Sequence, residues 1–321
     1  MADTTLVHKT RAFLNSAGWD VAPELLTGDA SARKYFRLHR GKQSAVLMDA
    51  SQASEIVAPF VRIDKHLIQL GFSAPAILAC DESKGLFLLE DFGDATFAGL
   101  LDKGEEPERL FTLATDVLIA LHKNPHAIPK GLRAYHPEKM LEDIELFLDW
   151  CTPDISEAGK AGFRTVWREV LPLAHQAPAS LLLRDYHVAN LMLLPGRAGI
   201  QQVGLLDFQD AYQGPVTYDL VSLLQDARHD VAKDLQNKMT ERYLAQFPAL
   251  DRNRFETSVA ILAALRHTRV LAIFERLSRR DGKSDYKQLH SPRVQRLLQR
   301  ASQHPALARV KGWFDQYARR N

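Results

Sequence analysis

The chain has 321 residues, of which 46% are hydrophobic and 25% are charged, and its formal net charge is +2. These are ordinary globular values, so the composition excludes a largely disordered, fibrous or collagen-like protein. Basic and acidic residues are interspersed, which excludes the basic footprint of a nucleic-acid-binding protein. Because a single core stops growing near about 250 to 300 residues, the length predicts two domains.

The cysteine content and the lengths of the hydrophobic runs bear on disulfides, on thiolate metal sites and on cellular location. Only Cys80 and Cys151 occur, without a CxxC motif, which argues against a disulfide framework and against a thiolate metal site. We expect both thiols to be buried. The N-terminal segment has no charged head followed by an apolar stretch, and the longest apolar runs fall short of the roughly 18 residues that cross a membrane. We therefore expect a cytoplasmic protein that needs no nucleic acid, membrane or protein partner.

The first part of the chain predicts an antiparallel sheet with two helices. The stretch "ELLTGDASARKYFRLHRGKQSAVLMDA" predicts three short strands broken at Gly28 and Gly41. Apolar residues between positions 54 and 70 recur at helical spacing, and Gly71 follows as a stop signal. The predicted elements, in chain order, are a helix over residues 4–17, the three strands, a helix from Ser54 to Leu70, and strands over Ala76–Cys80 and Leu86–Glu90.

After Gly93 the hydrophobic pattern is mainly helical, which places a domain boundary near residues 90–95. The predicted domains are therefore residues 1–92, which contain the sheet, and residues 93–321, which are mainly helical. A run of strands followed by a run of helices is typical of the α+β fold class.

Two strand-like pieces interrupt the helical part, and the stretch between them, "RDYHVANLML", carries the most informative polar residues. An Asp followed five residues later by Asn, and then by an Asp that ends the next apolar strand, is the arrangement that phosphoryl transfer needs. We predict that Asp185 orients the attacking hydroxyl and accepts its proton. Asn190 and Asp207 are predicted to bind a magnesium ion, because hard cations prefer oxygen ligands.

Five stretches of the sequence resemble one family. They are "GDASARKYFRL", "LLEDFGD", "RDYHVANLM", "LLDFQDAYQGPVTYDLVSLL" and "RHTRVLAIFERL", and they are similar to the aminoglycoside phosphotransferase and choline kinase superfamily. More narrowly, they resemble the bacterial anomeric kinases that phosphorylate N-acetylmuramate and N-acetylglucosamine at C1 in cell-wall recycling. The resemblance implies a bilobal protein-kinase-like fold, with a small antiparallel-sheet N-lobe that binds the nucleotide and a larger, mainly helical C-lobe for catalysis and substrate binding. It also implies ATP and Mg²⁺ as cofactors.

The Asp-Phe-Gly in "LLEDFGD" has the spelling of a kinase metal motif, but it comes too early in the chain. In a kinase-like fold the metal-binding Asp follows the catalytic loop, whereas Asp91 precedes Asp185. The resemblance instead places this segment at the hinge between the lobes, where backbone groups of Glu90 and Phe92 hydrogen-bond an adenine. The metal motif is then "DFQD", which begins at Asp207 and has Gln in place of Gly.

The sequence departs from the family pattern on the third strand, which lacks the Lys that pairs with the phosphates. Alternation places Val46 and Met48 on the cleft face of that strand. On the preceding strand, Arg33, Tyr35 and Arg37 share one face by the same alternation. We predict that Arg33 or Arg37 supplies the missing cation. The alternative is that both arginines are solvated on an exposed strand.

Three other positions bear on the same site. Leu183 stands where the superfamily usually has a His, and its apolar side chain is expected to pack behind the catalytic loop as that His does. The turn "TGDASA" lacks GxGxxG, so it is predicted to cover the phosphates through backbone N–H groups around Ala30 and Ser31, although a plain hairpin turn has the same character. Asp219, in "TYDLVSLL", is expected to tie the catalytic loop to the helix that follows.

The acceptor is expected to be a small hydroxyl-bearing molecule, because the chain returns quickly to a helix after "LLDFQD" and leaves no peptide platform. We predict that His187 in the catalytic loop and Glu145 and Asp149 on a helix contact it. Arg266 or Arg269, on a later helix, is predicted to face a substrate anion. A helix that buries its apolar face, or a His that shapes the loop, shows the same pattern.

Three functions fit these residues. The first is an ATP- and Mg²⁺-dependent kinase that phosphorylates a sugar, at the anomeric hydroxyl of N-acetylmuramate or N-acetylglucosamine. The second changes the acceptor to choline, homoserine, a nucleoside or an antibiotic, because a fold does not fix a substrate. The third is an idle nucleotide-binding module, suggested by Leu183 and the missing Lys. The joint presence of Asp185, Asn190 and Asp207 argues against this third function.

Overall fold

The structure of the protein, a computed structural model, describes residues 4–26 and 33–318. An antiparallel sheet comes first and helices dominate afterwards, so the predicted α+β class is confirmed. The turn that was predicted to cover the phosphates, with Ala30 and Ser31, lies outside the described residues.

The described helices and strands follow one another in a strand-rich part and a helix-rich part. The first elements are α1 (Thr4–Ser16), β1 (Glu24–Leu26), β2 (Lys34–Arg40), β3 (Gln43–Asp49), α2 (Val57–Gln69), β4 (Ile77–Asp81), β5 (Leu86–Glu90) and α3 (Phe97–Asp102). Those that follow are α4 (Pro107–Lys123), α5 (Pro137–Trp150), α6 (Glu157–Val170), β6 (Ala179–Leu182), β7 (Leu191–Leu193), β8 (Val203–Leu205), β9 (Tyr212–Pro215), α7 (Thr217–Leu224), α8 (Lys233–Ala245), α9 (Arg252–Asp281), α10 (Ser291–Ala301) and α11 (Ala308–Tyr317). All five strands and both helices predicted for the first part are present.

The chain forms two compact units. The first consists of Met1–Leu100 together with Asn190–Asp210, and the second of Leu101–Ala189 together with Ala211–Asn321. The hairpin of β7 and β8 therefore belongs to the unit that contains the large sheet. The domain boundary near residue 92 stays a prediction.

The sheet of the first unit is wholly antiparallel, with the strand order β1-β2-β3-β5-β4. Successive side chains of a strand point to opposite faces, and one face packs against α1. The buried cluster between them consists of Phe13, Leu14 and Trp19 from α1 and the segment after it, and of Leu38, Ala45, Leu47, Leu86 and Leu88 from the sheet. On the other face, Phe60 of α2 stacks on Phe208 at 5.5 Å between ring centroids and meets the edge of Phe87 at 5.4 Å. The second face of the sheet is therefore the one next to the "DFQD" motif.

The β7–β8 hairpin is fastened to the sheet-containing segment by backbone hydrogen bonds. The N–H of Leu193 donates to the carbonyl of Ala95, and the N–H of Leu205 donates to that of Ser73, each at 2.8 Å. Gly204 allows a close approach, because a Cβ there would lie 2.7 Å from the ring of Phe92. The hairpin thus holds the end of β8 at a fixed place in this unit.

The second unit is built around α9. Helices α5, α7 and α10 pack against it. Among the described residues, α9 is the one helix long and apolar enough to cross a membrane, yet 78% of its apolar window is buried inside the protein. A buried window of this kind is typical of the core helix of a globular domain. Strand β6 pairs antiparallel with β9, a strand that was not predicted. Strand β6 ends directly before residues 183–190, the predicted catalytic loop.

The prediction that both cysteines are buried is wrong for Cys80, which is exposed, whereas Cys151 is partly buried. Cys80 lies on β4, the edge strand of the sheet, where alternate side chains point away from the core. Alternation alone does not tell which side of an edge strand faces solvent.

Candidate active site

Asp207 directly follows the hairpin that carries Asn190. The N–H of Leu206 donates to the carbonyl of Asn190 at 3.0 Å, and Nδ2 of Asn190 donates to Oδ2 of Asp207 at 3.5 Å. Asp207 has a φ of 59°, in the left-handed region that residues with a side chain seldom adopt. Such strain persists where the surrounding structure imposes it, and it is concentrated at functional sites. The hairpin therefore fixes a carboxylate and an amide side by side.

Arg33, directly before β2, contacts this motif. Its Nη2 forms a hydrogen-bonded ion pair with Oδ1 of Asp207, and its Nη1 donates to Oε1 of Gln209 at 2.9 Å. Nε2 of Gln209 donates to the same Oδ1 of Asp207, also at 2.9 Å. The Gln that replaces the usual Gly is thus the third member of a closed triangle of side chains.

Arg37 contacts the other Asp-Phe motif. Its Nε lies 2.9 Å from Oδ2 of Asp91, and its Nη groups donate to Oδ1 of Asp94 at 2.8 Å and to the carbonyl of Gly93 at 3.0 Å. Of the two arginines predicted to replace the lysine, Arg33 is therefore the one that contacts the metal motif. The alternative that both are solvated is wrong, since their side chains are 13% and 15% exposed.

The predicted adenine-binding segment follows β5. The N–H of Glu90 donates to the carbonyl of Ala76 at 2.8 Å, and the carboxylate of Glu90 pairs with Arg197. The guanidinium of Arg197 lies over the ring of Phe92, 5.3 Å from its centroid. These contacts fix the segment within the first unit, and its binding of adenine stays a prediction.

The side chains at the end of the hairpin fit a magnesium ion. Mg²⁺ is bound in proteins by one or two carboxylates, waters and substrate phosphates, all through oxygen. The Asp207 carboxylate and the oxygen of the Asn190 amide belong to that donor class, and the amide group lies beside the carboxylate, which its Nδ2 contacts. Among the residues that the structure describes, no group of three or more His, Cys, Asp or Glu side chains is arranged to hold a metal.

The catalytic loop is held by the side chain of Asp219 on α7. Its Oδ2 accepts a hydrogen bond from the N–H of Leu183 at 2.6 Å, and its Oδ1 accepts one from the N–H of Arg184 at 2.9 Å. The prediction that Asp219 ties the loop to this helix is confirmed. Arg184 has a φ of 69°, so its backbone is held in the left-handed region immediately before Asp185. A fixed loop conformation follows from these bonds.

Asp185 is partly exposed and lies among positive charges. Burial raises the pKa of its carboxyl group, but the charges of Arg269, Arg184 and Arg266, among others, outweigh burial and hold this pKa below its ordinary value. Asp185 is therefore ionised at neutral pH. An ionised carboxylate accepts hydrogen bonds only, which suits a group that is to receive a hydroxyl proton.

Asp143 on α5 was missed by the sequence analysis. Its Oδ2 accepts hydrogen bonds from Nη2 of Arg184 at 2.5 Å and from the hydroxyl of Tyr135 at 2.8 Å, and Nζ of Lys139 lies 3.0 Å from its Oδ1. Its side chain is 9% exposed. A signal was present, because Asp143 precedes the buried Ile144 on an amphipathic helix, and a carboxylate near a buried face needs partners.

The predicted acceptor residues fall into two groups. His187 and Arg266 lie close enough to Asp185 to lower the pKa of its carboxyl group, and both are buried. Glu145 accepts a hydrogen bond from Nε of Arg164 on α6 at 2.6 Å, and Asp149 is exposed on α5. Contact of any of these four with an acceptor stays a prediction.

A five-stranded antiparallel sheet followed by a helical unit, with an aspartate loop before a hairpin that ends in a second aspartate, is the architecture of kinase-like phosphotransferases. The chain belongs to the phosphotransferase enzyme family, whose family model matches residues 23–255. The predicted family is thereby confirmed, and the protein is an enzyme that transfers a phosphoryl group to a hydroxyl acceptor.

Relatives agree with this family, and a solved structure agrees with the fold. The chain is 37% identical to the N-acetylmuramate/N-acetylglucosamine kinase of Caulobacter vibrioides, over 95% of each chain. It is 34% identical to the kinase of the same name from Pseudomonas aeruginosa, over 91% of this chain and 89% of that one. A choline/ethanolamine kinase family protein from Mesorhizobium loti has a similar structure, with a TM-score of 0.63 at 16% identity, over 97% of this chain and 99% of the other. The predicted kinase-like fold is confirmed.

Proposed function

We propose that this enzyme is an ATP- and Mg²⁺-dependent kinase that phosphorylates the anomeric hydroxyl of N-acetylmuramate and N-acetylglucosamine. Full-length similarity to two kinases of these sugars supports the choice of acceptor. The structural observation that carries the proposal is the position of Asp185 on a loop whose backbone is held by the side chain of Asp219. We further propose that the enzyme acts in the cytoplasm, in the recycling of cell-wall sugars.

On the acceptor side, Asp185 orients the sugar hydroxyl and takes its proton as the new P–O bond forms. An anomeric hydroxyl is more acidic than an ordinary alcohol, because the ring oxygen withdraws electron density from the same carbon. A carboxylate with a lowered pKa is a weak base, so an acidic hydroxyl is the acceptor it serves best. Of the other predicted contacts, His187 and Arg266 are those whose charges act on the Asp185 carboxyl group. Glu145 and Asp149 are assigned to the outer part of the acceptor site.

On the donor side, Asp207 and Asn190 hold the metal, and Arg33 contacts the phosphates. Bound Mg²⁺ supplies neutralisation of the charge on the transferred phosphoryl group. Arg33 contacts Asp207 and Gln209 of the proposed metal motif, which supports a role for its guanidinium in binding phosphate oxygens. The backbone of Ser31 and the backbone at Glu90 and Phe92 complete the proposed nucleotide contacts.

The test is release of ADP by the purified protein with MgATP and one of four acceptors: N-acetylmuramate, N-acetylglucosamine, choline or kanamycin. Phosphorus NMR then identifies the product. We expect an acid-labile sugar 1-phosphate from both amino sugars. Asp185→Asn should lower turnover by about 10²- to 10⁴-fold, the usual contribution of a general base. Asp154→Asn is the matched control, because Asp154 is exposed and should leave turnover unchanged.

Two results would contradict the proposal. A phosphorylated hydroxyl other than the anomeric one would refute the position of transfer. Turnover of choline or kanamycin, with none of either sugar, would replace the acceptor class and leave the phosphotransferase chemistry standing.

A further inference from the structure

The arginines around Asp185 differ in their exposure to solvent and in their partners. Arg184 is 5% exposed, its Nη2 binds Asp143, and its guanidinium lies 5.3 Å and 5.2 Å from the ring centroids of Tyr135 and Tyr212. Arg266 is 4% exposed, which leaves little of it accessible to a ligand. Neither side chain is thus well suited to bind part of an acceptor directly.

Arg269 is different. Its side chain is 23% exposed, and its one ion pair among the described residues is a long one, 3.9 Å from Nε to Oδ2 of Asp143. That oxygen already accepts hydrogen bonds from Arg184 and Tyr135. A guanidinium carries five N–H donors, so Arg269 keeps most of its hydrogen-bonding capacity for a ligand.

Arg269 also lies close to the predicted base, since Asp143 pairs with both Arg269 and Arg184, and Arg184 directly precedes Asp185. Of the charged residues that lower the pKa of the Asp185 carboxyl group, Arg269 has the largest effect. It lies one turn after Arg266 on α9, where the buried Leu265, Thr268 and Ala272 fix the helix in the core. A rigid helix therefore presents a partly exposed, weakly paired guanidinium beside the predicted base.

The two amino sugars named for the relatives differ in one charged group. N-acetylmuramate carries a lactyl ether at O3 that ends in a carboxylate, and N-acetylglucosamine has a neutral hydroxyl there. Guanidinium and carboxylate match each other in planar, bidentate geometry. We propose that Arg269 binds the carboxylate of anionic acceptors and thereby sets the preference between the two sugars. This inference rests on the proposed function and names the residue that reads the substituent at O3.

Asp143 is the positioning residue in this arrangement. It shares one carboxylate among Arg184, Lys139 and Arg269, so removal of Arg269 leaves Asp143 with two cationic partners and a tyrosine hydroxyl. The carboxylate is then still paired, and loss of the fold is not expected when Arg269 is replaced. A substitution at Arg269 thus tests recognition rather than stability.

The experiment compares kcat/KM for the two sugars in Arg269→Ala, Arg269→Lys and the control Arg280→Ala. Arg280 lies in the last turn of the same helix with its side chain 58% exposed. For Arg269→Ala we expect kcat/KM for N-acetylmuramate to fall about 10- to 100-fold, as for loss of charge-assisted hydrogen bonds, and that for N-acetylglucosamine to fall by less than about threefold. Arg269→Lys should be intermediate, because an ammonium is a point charge without the planar fork. Arg280→Ala should match wild type with both sugars.

The measurements are made near pH 8, because loss of Arg269 also raises the pKa of Asp185 and shifts the acidic limb of the pH profile for both sugars alike. Equal losses for the two sugars on the alkaline plateau would overturn the inference and make Arg269 a positioning residue for Asp185. Failure of the proposed function looks different, since wild type would then turn over neither sugar. If Arg269→Ala lacks a cooperative thermal transition, Arg269→Lys carries the comparison.

Discussion

The first unit contains two Asp-Phe motifs that are spelled almost alike and are held in different ways. In "DFGD", Asp91 follows the end of β5 with a carboxylate that is 5% exposed, and the glycine adopts the positive φ of 77°. In "DFQD", Asp207 itself adopts the positive φ of 59°, and its carboxylate is 32% exposed. Each aspartate pairs with an arginine at or near β2, Arg37 in the first case and Arg33 in the second.

The difference supports the proposal that "DFGD" is a structural motif and that "DFQD" binds the metal. Asp91 accepts hydrogen bonds from Arg37 and from the N–H of Gly93 at 2.9 Å, so its charge is satisfied by fixed neighbours. Asp207 is strained and more exposed, and Arg33 and Gln209 both bind its Oδ1. Its Oδ2 accepts only a long hydrogen bond of 3.5 Å from Asn190 among the described residues, so we expect this oxygen to bind a cation from solution. Position along the chain, after the catalytic loop, distinguishes the two motifs where their spelling does not.

The largest expected contrast is between the two aspartates. Asp207→Asn should lower kcat by at least about 10²- to 10³-fold, because a hard cation loses its carboxylate ligand and transition-state charge is less well neutralised. Asp91→Asn should change kcat by less than about threefold, since the Asp91 carboxylate is expected to stabilise its own segment and not to bind the metal.

Manganese binding followed by electron paramagnetic resonance in the presence of ADP gives a second readout for the same pair of variants. Asp207→Asn should weaken it and Asp91→Asn should leave it intact. Similar losses of activity and of manganese binding in the two variants would show that the comparison between the motifs is wrong.

The next contrast is between the two arginines. Arg33→Ala should lower kcat/KM for ATP by about 10- to 100-fold, the range for loss of charge-assisted hydrogen bonds to phosphate. Arg37→Ala should leave this constant near its wild-type value, because the partners of Arg37 are Asp91, Asp94 and Gly93 of "DFGD", not residues of the proposed metal motif. Initial rates at varied ATP and saturating sugar measure both constants. A larger effect at Arg37 would transfer the role of the missing lysine to that residue.

Much of this architecture was predictable from local sequence. Strand alternation, helical spacing and glycine stops predicted five strands and two helices, because each of these signals involves residues that are close together in the sequence. The Asp185, Asn190 and Asp207 triplet was recognisable because its spacing is set by one loop and one hairpin. Gln209 was noticed only as a departure, and its bonds to Arg33 and Asp207 depend on a residue distant in sequence.

What sequence did not supply is pairing across helices. The cluster of Asp143 with Arg184 and Arg269 joins α5, the catalytic loop and α9, and its members are far apart in the chain. Neither periodicity nor spacing reports which buried charges meet. The same limit explains why Arg266 and Arg269 could not be separated before their exposures and partners were compared.

The smallest predicted effect is the pH-dependent contribution of Asp91 to the free energy of unfolding. Burial raises the pKa of Asp91, but hydrogen bonds from Gly93, Ser44 and Arg37 outweigh burial and hold this pKa below its ordinary value. As pH falls, the unfolded chain therefore takes up the proton first, so stability from Asp91 is present above about pH 4 and is lost as pH falls through the lower folded pKa. Asp91→Asn should cost about 2 kcal/mol of unfolding free energy at neutral pH, the scale of a hydrogen bond to a charged group.

Thermal midpoints of wild type and Asp91→Asn, measured from neutral pH downwards, check this sign. The gap between them should be a few degrees at neutral pH and should close once the native carboxyl is protonated, because a neutral acid and an amide then make similar contacts. Asp154→Asn, at an exposed position, should show no gap at any pH. A difference in thermal midpoint that does not change with pH would mean that the Asn side chain destabilises the protein for steric reasons. The "DFGD" segment would then be stabilised by packing rather than by the charge of Asp91.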